Sequence, residues 1–355
     1  MSKDAPRRID FQVHALVPTI EDLAPYLDPA WAIRFTTSDF RMPVCAVQVG
    51  AQIEGTSLPI NAYDAKAASA LLGADVELAL VLAPQPLTVI GWLNHSMANV
   101  FCAAVNDYLI SNWVSADPRF RIALAVSPHD PAAAAAEIRR HGDHPAVSAV
   151  ALPAGSVNLG HQSLHPIYVE AEKRALAILV HPSGVDGTTF GTSTLGGVGP
   201  RTPEEIYSLI PQIAAANIAS LIFEGTFVDF PDLMVVFAGF GFDWAVSVLW
   251  RMDLEWRGLR SEVPWVTSEP SEYVANNIRI VIDGASGTLG PEEWALAAML
   301  PEKLLLWGSD LPYGSATTAE GVLSSGSPAA DAILSGNGRS LLDRREFFVA
   351  AGEER

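Results

Sequence analysis

The first ordered pattern in the chain starts at Arg8, where Ile9, Phe11 and Val13 alternate with Asp10, Gln12 and His14. A repeat of two predicts a strand with one apolar and one polar face. An acid, an amide and an imidazole in a row are costly inside a core unless something satisfies them. That face therefore lines a site or is wet. Residues 18–71 follow with no sustained helical period, broken by Asp28-Pro29, Pro43 and Gly50. This stretch reads as an arm or lid inserted after the first strand.

From Val76 the pattern becomes regular. Val76 to Pro84 is a nearly continuous apolar strand, and Ser96 to Ser115 carries apolar residues at helical spacing. Phe120 to Val126, Val147 to Leu152, Ala177 to His181, Met234 to Ala238, Ile278 to Ile282 and Leu304 to Trp307 repeat the strand signal. Helical stretches separate them, at Pro131 to Arg140, Pro166 to Arg174, Pro203 to Phe230, Trp244 to Arg257 and Pro291 to Leu300, with closing helices in Glu320 to Leu342. Continuous apolar runs mark strands buried on both faces, hence a parallel sheet. Eight such units predict an α/β fold, a (β/α)8 TIM barrel with an insertion between strands 1 and 2, forming one domain over residues 1–355. An open doubly wound sheet lacks support, because no GxGxxG follows the first strand and no Walker A motif occurs.

Composition narrows the function. Of 355 residues, 49 % are hydrophobic and 17 % charged, enough for a large core. The formal net charge of −18 argues against nucleic acid or an anionic membrane as partner and favours a small-molecule substrate. Two cysteines, Cys45 and Cys102, without a CxxC argue against a disulfide framework and against a thiolate zinc site. The polar start leads directly into a strand, and no run of 18 apolar residues occurs, so the expected location is cytoplasmic.

Barrel chemistry gathers where strands end at their C-terminal side. Strand 1 ends in Gln12 and His14, strand 5 in His181, strand 7 in Asp283 and strand 8 in Asp310. His14, His181 and Asp310 form a donor set suited to a divalent ion, zinc first and manganese next, with a metal-free site as the alternative. Such an ion would polarise a carbonyl or activate water. Gln12 could add a carbonyl oxygen or hold substrate, and Asp310 could instead act as the base. Asp283 is a candidate for proton transfer or a turn cap. His95, His161 and His165 follow strands 2 and 4 as substrate contacts, as a proton carrier in the case of His165, or as ordinary loop residues. No GxSxG elbow is present, Cys102 reads as helix packing, and Trp244, Trp250 and Trp256 read as core or subunit contact.

Several phrases together resemble the amidohydrolase-related proteins of the aminocarboxymuconate-semialdehyde decarboxylase type, within the amidohydrolase superfamily. They are Arg8 to His14, Asp117-Pro118-Arg119-Phe120-Arg121, His165-Pro166-Ile167-Tyr168, Ala177 to Gly184, Phe230-Pro231-Asp232-Leu233, Trp307 to Pro312 and Leu334-Ser335-Gly336-Asn337. The resemblance spans almost the whole chain. It implies a metal-dependent barrel that decarboxylates, hydrates or hydrolyses small carboxylated or cyclic compounds, usually as a dimer. In that family the strand-1 pair, the strand-5 His and the strand-8 Asp bind metal. Gln12 stands where the family has His, Asp or Glu, and Gly239 stands where it has a catalytic His or Glu. Phe240 and Phe242 beside it are expected to line an apolar rim that touches substrate. Three functions follow: an enzyme with a rebuilt, reduced metal site, a non-catalytic subunit that pairs with an active amidohydrolase paralogue, or a small-molecule binding barrel. A homodimer or a heteromer with that paralogue is expected.

Overall fold

The computed structural model describes residues 7–17, 19–37, 40–43, 63–155, 157–186, 202–282, 290–314, 318–324 and 326–353. Among these, eight strands form one parallel sheet in the order of the chain: β1 Arg8–His14, β2 Val76–Leu82, β3 Phe120–Ala125, β4 Val147–Pro153, β5 Ala177–His181, β6 Val235–Phe237, β7 Ile278–Ile282 and β8 Leu305–Trp307. The ring closes just beyond β8, where Leu311 bridges Val13 and the His14 amide donates to the Leu311 carbonyl at 2.7 Å. The result is the TIM barrel that the run of apolar strands predicts.

The two faces of the sheet bury separate sets of side chains. Phe11, Leu80, Ala151, Leu179, Val236 and Leu306 belong to an inner set, while Val81, Ile122, Val150, Val180 and Phe237 pack outward against helices. This alternation is the pleat of each strand expressed as two cores. Small residues such as Ala123, Ala149 and Ala177 fill the inner layers, leaving room for Phe11.

β1 breaks the simple alternation. Ile9 and Phe11 sit in the inner set, but Val13 sits in the outer one. The pairing with β2 shifts between Asp10 and Val13, where three steps on β1 face two on β2. This extra residue is a β-bulge, a device that re-aims side chains near functional sites. The expectation that Asp10, Gln12 and His14 share one face is therefore corrected: the bulge sends Asp10 one way and Gln12 with His14 the other.

Residues 18–71 are less irregular than the sequence pattern suggests. Among the described residues they hold α1 Ile20–Leu23, α2 Pro29–Thr37 and α3 Ala65–Leu71. Thr19 and Asp64 cap the first and third with side-chain oxygens. Phe35 of α2 is buried against Phe40 and Phe101, which holds this segment to the long helix α4, His95–Ala116. Helices α5 Pro131–His141, α6 His165–Glu172, α7 Pro203–Leu209, α8 Pro211–Phe223, α9 Thr226–Asp229, α10 Ala245–Leu259, α11 Pro270–Asn277, α12 Pro291–Ala297, α13 Thr318–Ser324 and α14 Asn337–Glu353 complete the outer layer. Glu204–Phe223, spanning α7 and α8, is long and apolar enough to cross a membrane by length and composition. Here Ile213, Ile218 and Leu221 from it are buried in the outer core. α14 returns to the barrel, where Leu341 and Leu342 join Ile9 and Phe11 in the inner set.

Candidate active site at the end of β1, β5 and β8

The site begins with the bulge. The Gln12 backbone amide donates to the Asp10 carboxylate at 3.0 Å, a bond across two residues that fixes the kink. The Ser309 amide donates to the same Asp10 oxygen at 3.0 Å, tying the loop after β8 to β1. Asp10 is fully buried, and burial pushes its carboxyl up to about 6 against the pull of these donors. Asp10 thus holds the frame and does not face the mouth alongside Gln12 and His14.

On that frame the chain brings Asp310 to β1. The Asp310 amide donates to the Gln12 carbonyl at 2.9 Å. Asp310 has φ +59, a left-handed conformation that costs a non-glycine residue energy and that surrounding bonds must hold. Its carbonyl accepts from the amides of Tyr313 and Gly314, both at 2.7 Å. The Asp310 carboxylate then meets two donors on one oxygen. Gln12 Nε2 donates to Oδ1 at 2.7 Å, and His14 Nε2 donates to the same atom at 2.8 Å. Gln12 and His14 are 1 % exposed and Asp310 8 %. The Tyr313 ring lies 5.0 Å from the His14 ring.

His181, at the end of β5, completes the group, with its ring 5.1 Å from His14 and edge-on to it. Its Nδ1 donates to the Pro182 carbonyl at 2.9 Å, which leaves Nε2 as the lone-pair nitrogen. Dehydration by the barrel walls, and next the neighbouring His14, push His181 down to about 4, so it is neutral at pH 7. Beside it Gly239 has φ +82, and a Cβ there would stand 3.0 Å from His181 Nε2 and 3.0 Å from Pro182 Cδ. The glycine is required both by the backbone and by the imidazole it abuts.

The residues expected in a metal site thus meet, with His14 hydrogen-bonded to Asp310 and His181 beside His14. Among the described residues, no three His, Cys, Asp or Glu side chains form a set that could hold a metal ion. The hydrogen bonds explain this. His14 spends Nε2 on Asp310, and Asp310 Oδ1 already receives two N–H groups. The donor set as it stands does not fit a divalent ion.

Other expected site residues lie elsewhere. Phe240 and Phe242 are buried in the outer core with Phe237, not at an apolar rim. The turn at Gly239 and Gly241 directs them outward, and Trp244 Nε1 closes it by donating to the carbonyls of Phe240 and Gly241. His165 opens α6 and packs edge-on to Phe230 at 5.0 Å, in the helical layer. His161 is exposed and caps the short turn Gln162–Leu164. His95 is exposed at the start of α4 and stacks on His129 at 4.4 Å. None of these three histidines has a hydrogen bond to Asp310 or His14 among the described residues. Asp283 lies outside the described residues, as do residues 187–201 after β5 and 44–62 of the insertion. The sequence reading missed the role of Asp10; its signal was an acid two residues before Gln12, where a bulge bond can form.

A family model described as amidohydrolase matches residues 9–320. An amidohydrolase from Mycobacterium avium subsp. paratuberculosis K-10 superposes with a TM-score of 0.71 at 17 % identity, covering 95 % of this chain and 99 % of that one. The 5-carboxyvanillate decarboxylase of Sphingomonas paucimobilis gives 0.67 at 19 %, covering 95 % and 99 %. A dihydroxybenzoic acid decarboxylase from Polaromonas sp. JS666, with bound manganese and 2-nitroresorcinol, gives 0.65 at 16 %, covering 96 % and 97 %. A comparison with curated proteins found no match. With the family model spanning nearly every strand and the barrel shared end to end with these structures, the chain belongs to the amidohydrolase family.

Proposed function

We propose that the protein is an amidohydrolase-type enzyme that acts on a small carboxylated compound, by decarboxylation or by the related hydrolysis, at the mouth formed by β1, β5 and β8. One observation carries this reading: Gln12, His14, His181 and Asp310 come from three distant parts of the chain and meet where barrel chemistry is done. Neighbours that act on dihydroxybenzoate and carboxyvanillate support a hydroxylated aromatic acid as the substrate class. The manganese in one of them supports a divalent ion as the family's usual cofactor and gives no support to zinc as first choice.

This chain's own residues supply two functions. His181, neutral and anchored through Nδ1, offers Nε2 as a base to a substrate hydroxyl or a water. Gln12 and His14 fix Asp310 and so fix the floor of the site. In decarboxylation the bond from ring carbon to carboxylate breaks as a proton arrives at that carbon. The proton that His181 takes from the hydroxyl can be returned there. The test is carbon dioxide release from a panel of hydroxybenzoates by the purified protein. Turnover that falls on the order of a hundredfold or more in His181→Asn supports the assignment. No turnover on the whole panel by folded protein rejects it.

A second reading is favoured by α10. Trp250 and Leu254, one helical turn apart, are 66 % and 59 % exposed. Together with the blank at Gly239, this suits a subunit that covers the α10 face with an amidohydrolase relative or a second copy. Sedimentation of the protein alone and mixed with an active relative separates the homodimer from the heteromer, and a monomer in both experiments rejects this reading.

A further inference from the structure

We infer that the hydrogen bonds from Gln12 and His14 to Asp310 stand in for a divalent cation, so that the site is assembled and operates without bound metal. That the site operates rests on the proposed function; its assembly follows from the geometry.

His14 decides the matter first. Its Nε2 donates to Asp310, so that nitrogen has no lone pair to give. To ligate an ion through Nε2, the ring would have to carry its proton on Nδ1. That atom is buried and, among the described residues, has no acceptor to hold such a proton. Metal-bound imidazoles almost always have the opposite arrangement, with the second N–H held by a carbonyl or carboxylate. His181 has that support from Pro182, and His14 does not.

Gln12 decides it next. Its Nε2 donates to the Asp310 oxygen at 2.7 Å, and its Oε1 is buried with no partner among the described residues. Turning the amide to offer Oε1 to an ion would forfeit the bond to Asp310. A carboxamide also brings no charge, so among the described residues the Gln12, His14, His181 and Asp310 group has a single carboxylate to balance a doubly charged ion. Nor does position 239 contribute, because Gly239 has no side chain, and its positive φ and the 3.0 Å approach to His181 would strain any that replaced it. What remains is a carboxylate already neutralised by two N–H donors, which is the role that a cation would otherwise play.

The experiment is a titration of the EDTA-treated, dialysed full-length protein with Mn2+ and separately with Zn2+, read by calorimetry and elemental analysis. The wild type is expected to retain well under one ion per chain, and Gln12→Asp is expected to bind Mn2+ at least about tenfold tighter. Near-stoichiometric Mn2+ or Zn2+ in the wild type that is lost in Asp310→Asn overturns the inference. Failure of both wild type and Gln12→Asp to bind overturns the assignment of the loss to Gln12. A readout that needs no variant is the 15N spectrum of the His14 ring. An Nε2–H signal unmoved by Zn2+ supports the inference, and a signal that moves overturns it. Turnover abolished by EDTA and restored by Mn2+ would uphold the proposed function and sink the metal-free site. Lack of turnover in a protein that binds no metal would reject the proposed function and leave the metal-free site supported.

Discussion

Gln12 and Asp310 are joined by a 2.7 Å hydrogen bond although 298 positions separate them in the chain. The bond joins the first strand to the loop after the last, and so it closes the barrel at the point where the site lies. Removing it leaves a buried carboxylate with one donor fewer. Gln12→Leu is expected to destabilise the fold by about 1.5–3 kcal/mol, the range for a hydrogen bond to a charged group. Urea unfolding measures this; a change under about 0.5 kcal/mol would show that the bond carries nothing.

Asp10 holds the same seam from behind. Asp10→Ala strands the amides of Gln12 and Ser309, which both donate to it. The expected loss is about 2–4 kcal/mol, from two buried donors left without partners. The bulge should relax as well, so hydrogen exchange at Gln12 and Ser309 should speed up more than at β4. Uniform exchange across the barrel would contradict the local role.

Asp10 and His181 give opposite dependences on pH. Asp10 is raised from 3.8 to about 6, so its contribution is present below 3.8 and fades as pH rises through 6. His181 is lowered from 6.5 to about 4, so its contribution is present above 6.5 and is lost as pH falls through 4. The two slopes oppose each other between about 4 and 6. His181→Asn should therefore leave stability falling as pH rises across that window, and Asp10→Asn should leave it rising. Denaturant midpoints measured from pH 4 to 7 check both signs.

Gly239 cannot be refilled at no cost. Gly239→Ala places a Cβ at 3.0 Å from His181 Nε2 on a backbone with φ +82. The strain is about 1–3 kcal/mol, and the imidazole must shift. If the enzymatic reading holds, kcat should fall with the His181 displacement while the global fold survives. Wild-type stability and rate in Gly239→Ala would show that this corner of the site is loose.

Arg345 anchors the other end of the barrel. It is 2 % exposed and donates to the carbonyls of Val147, Arg174, Gly142 and His144. Arg345→Met should cost about 2–5 kcal/mol by leaving those carbonyls unpaired, and Arg345→Lys should recover only part of it. Thermal unfolding reads both, with no effect expected at His181, which lies at the far end of β5.

The order of strands and helices was legible along the chain because hydrophobic period is a local property. Val76 to Leu82 and Ala177 to His181 each declare a buried strand from a handful of neighbours, and their number declares the barrel. The short helix α11 escaped that reading. The strand ends likewise pointed to His14, His181 and Asp310. What the sequence could not specify was how those residues engage. A period of two put Asp10, Gln12 and His14 on one face, and the register shift against β2 between Asp10 and Val13 separated them. The turn at Gly239 and Gly241 took Phe240 and Phe242 into the outer core by backbone conformations that no pattern of apolar residues encodes. Which nitrogen of His14 carries the proton is set by an aspartate 296 positions away. Periodicity is decided between neighbours in sequence, whereas partners, tautomers and the fit of an ion are decided only when the ring closes and distant groups must satisfy one another.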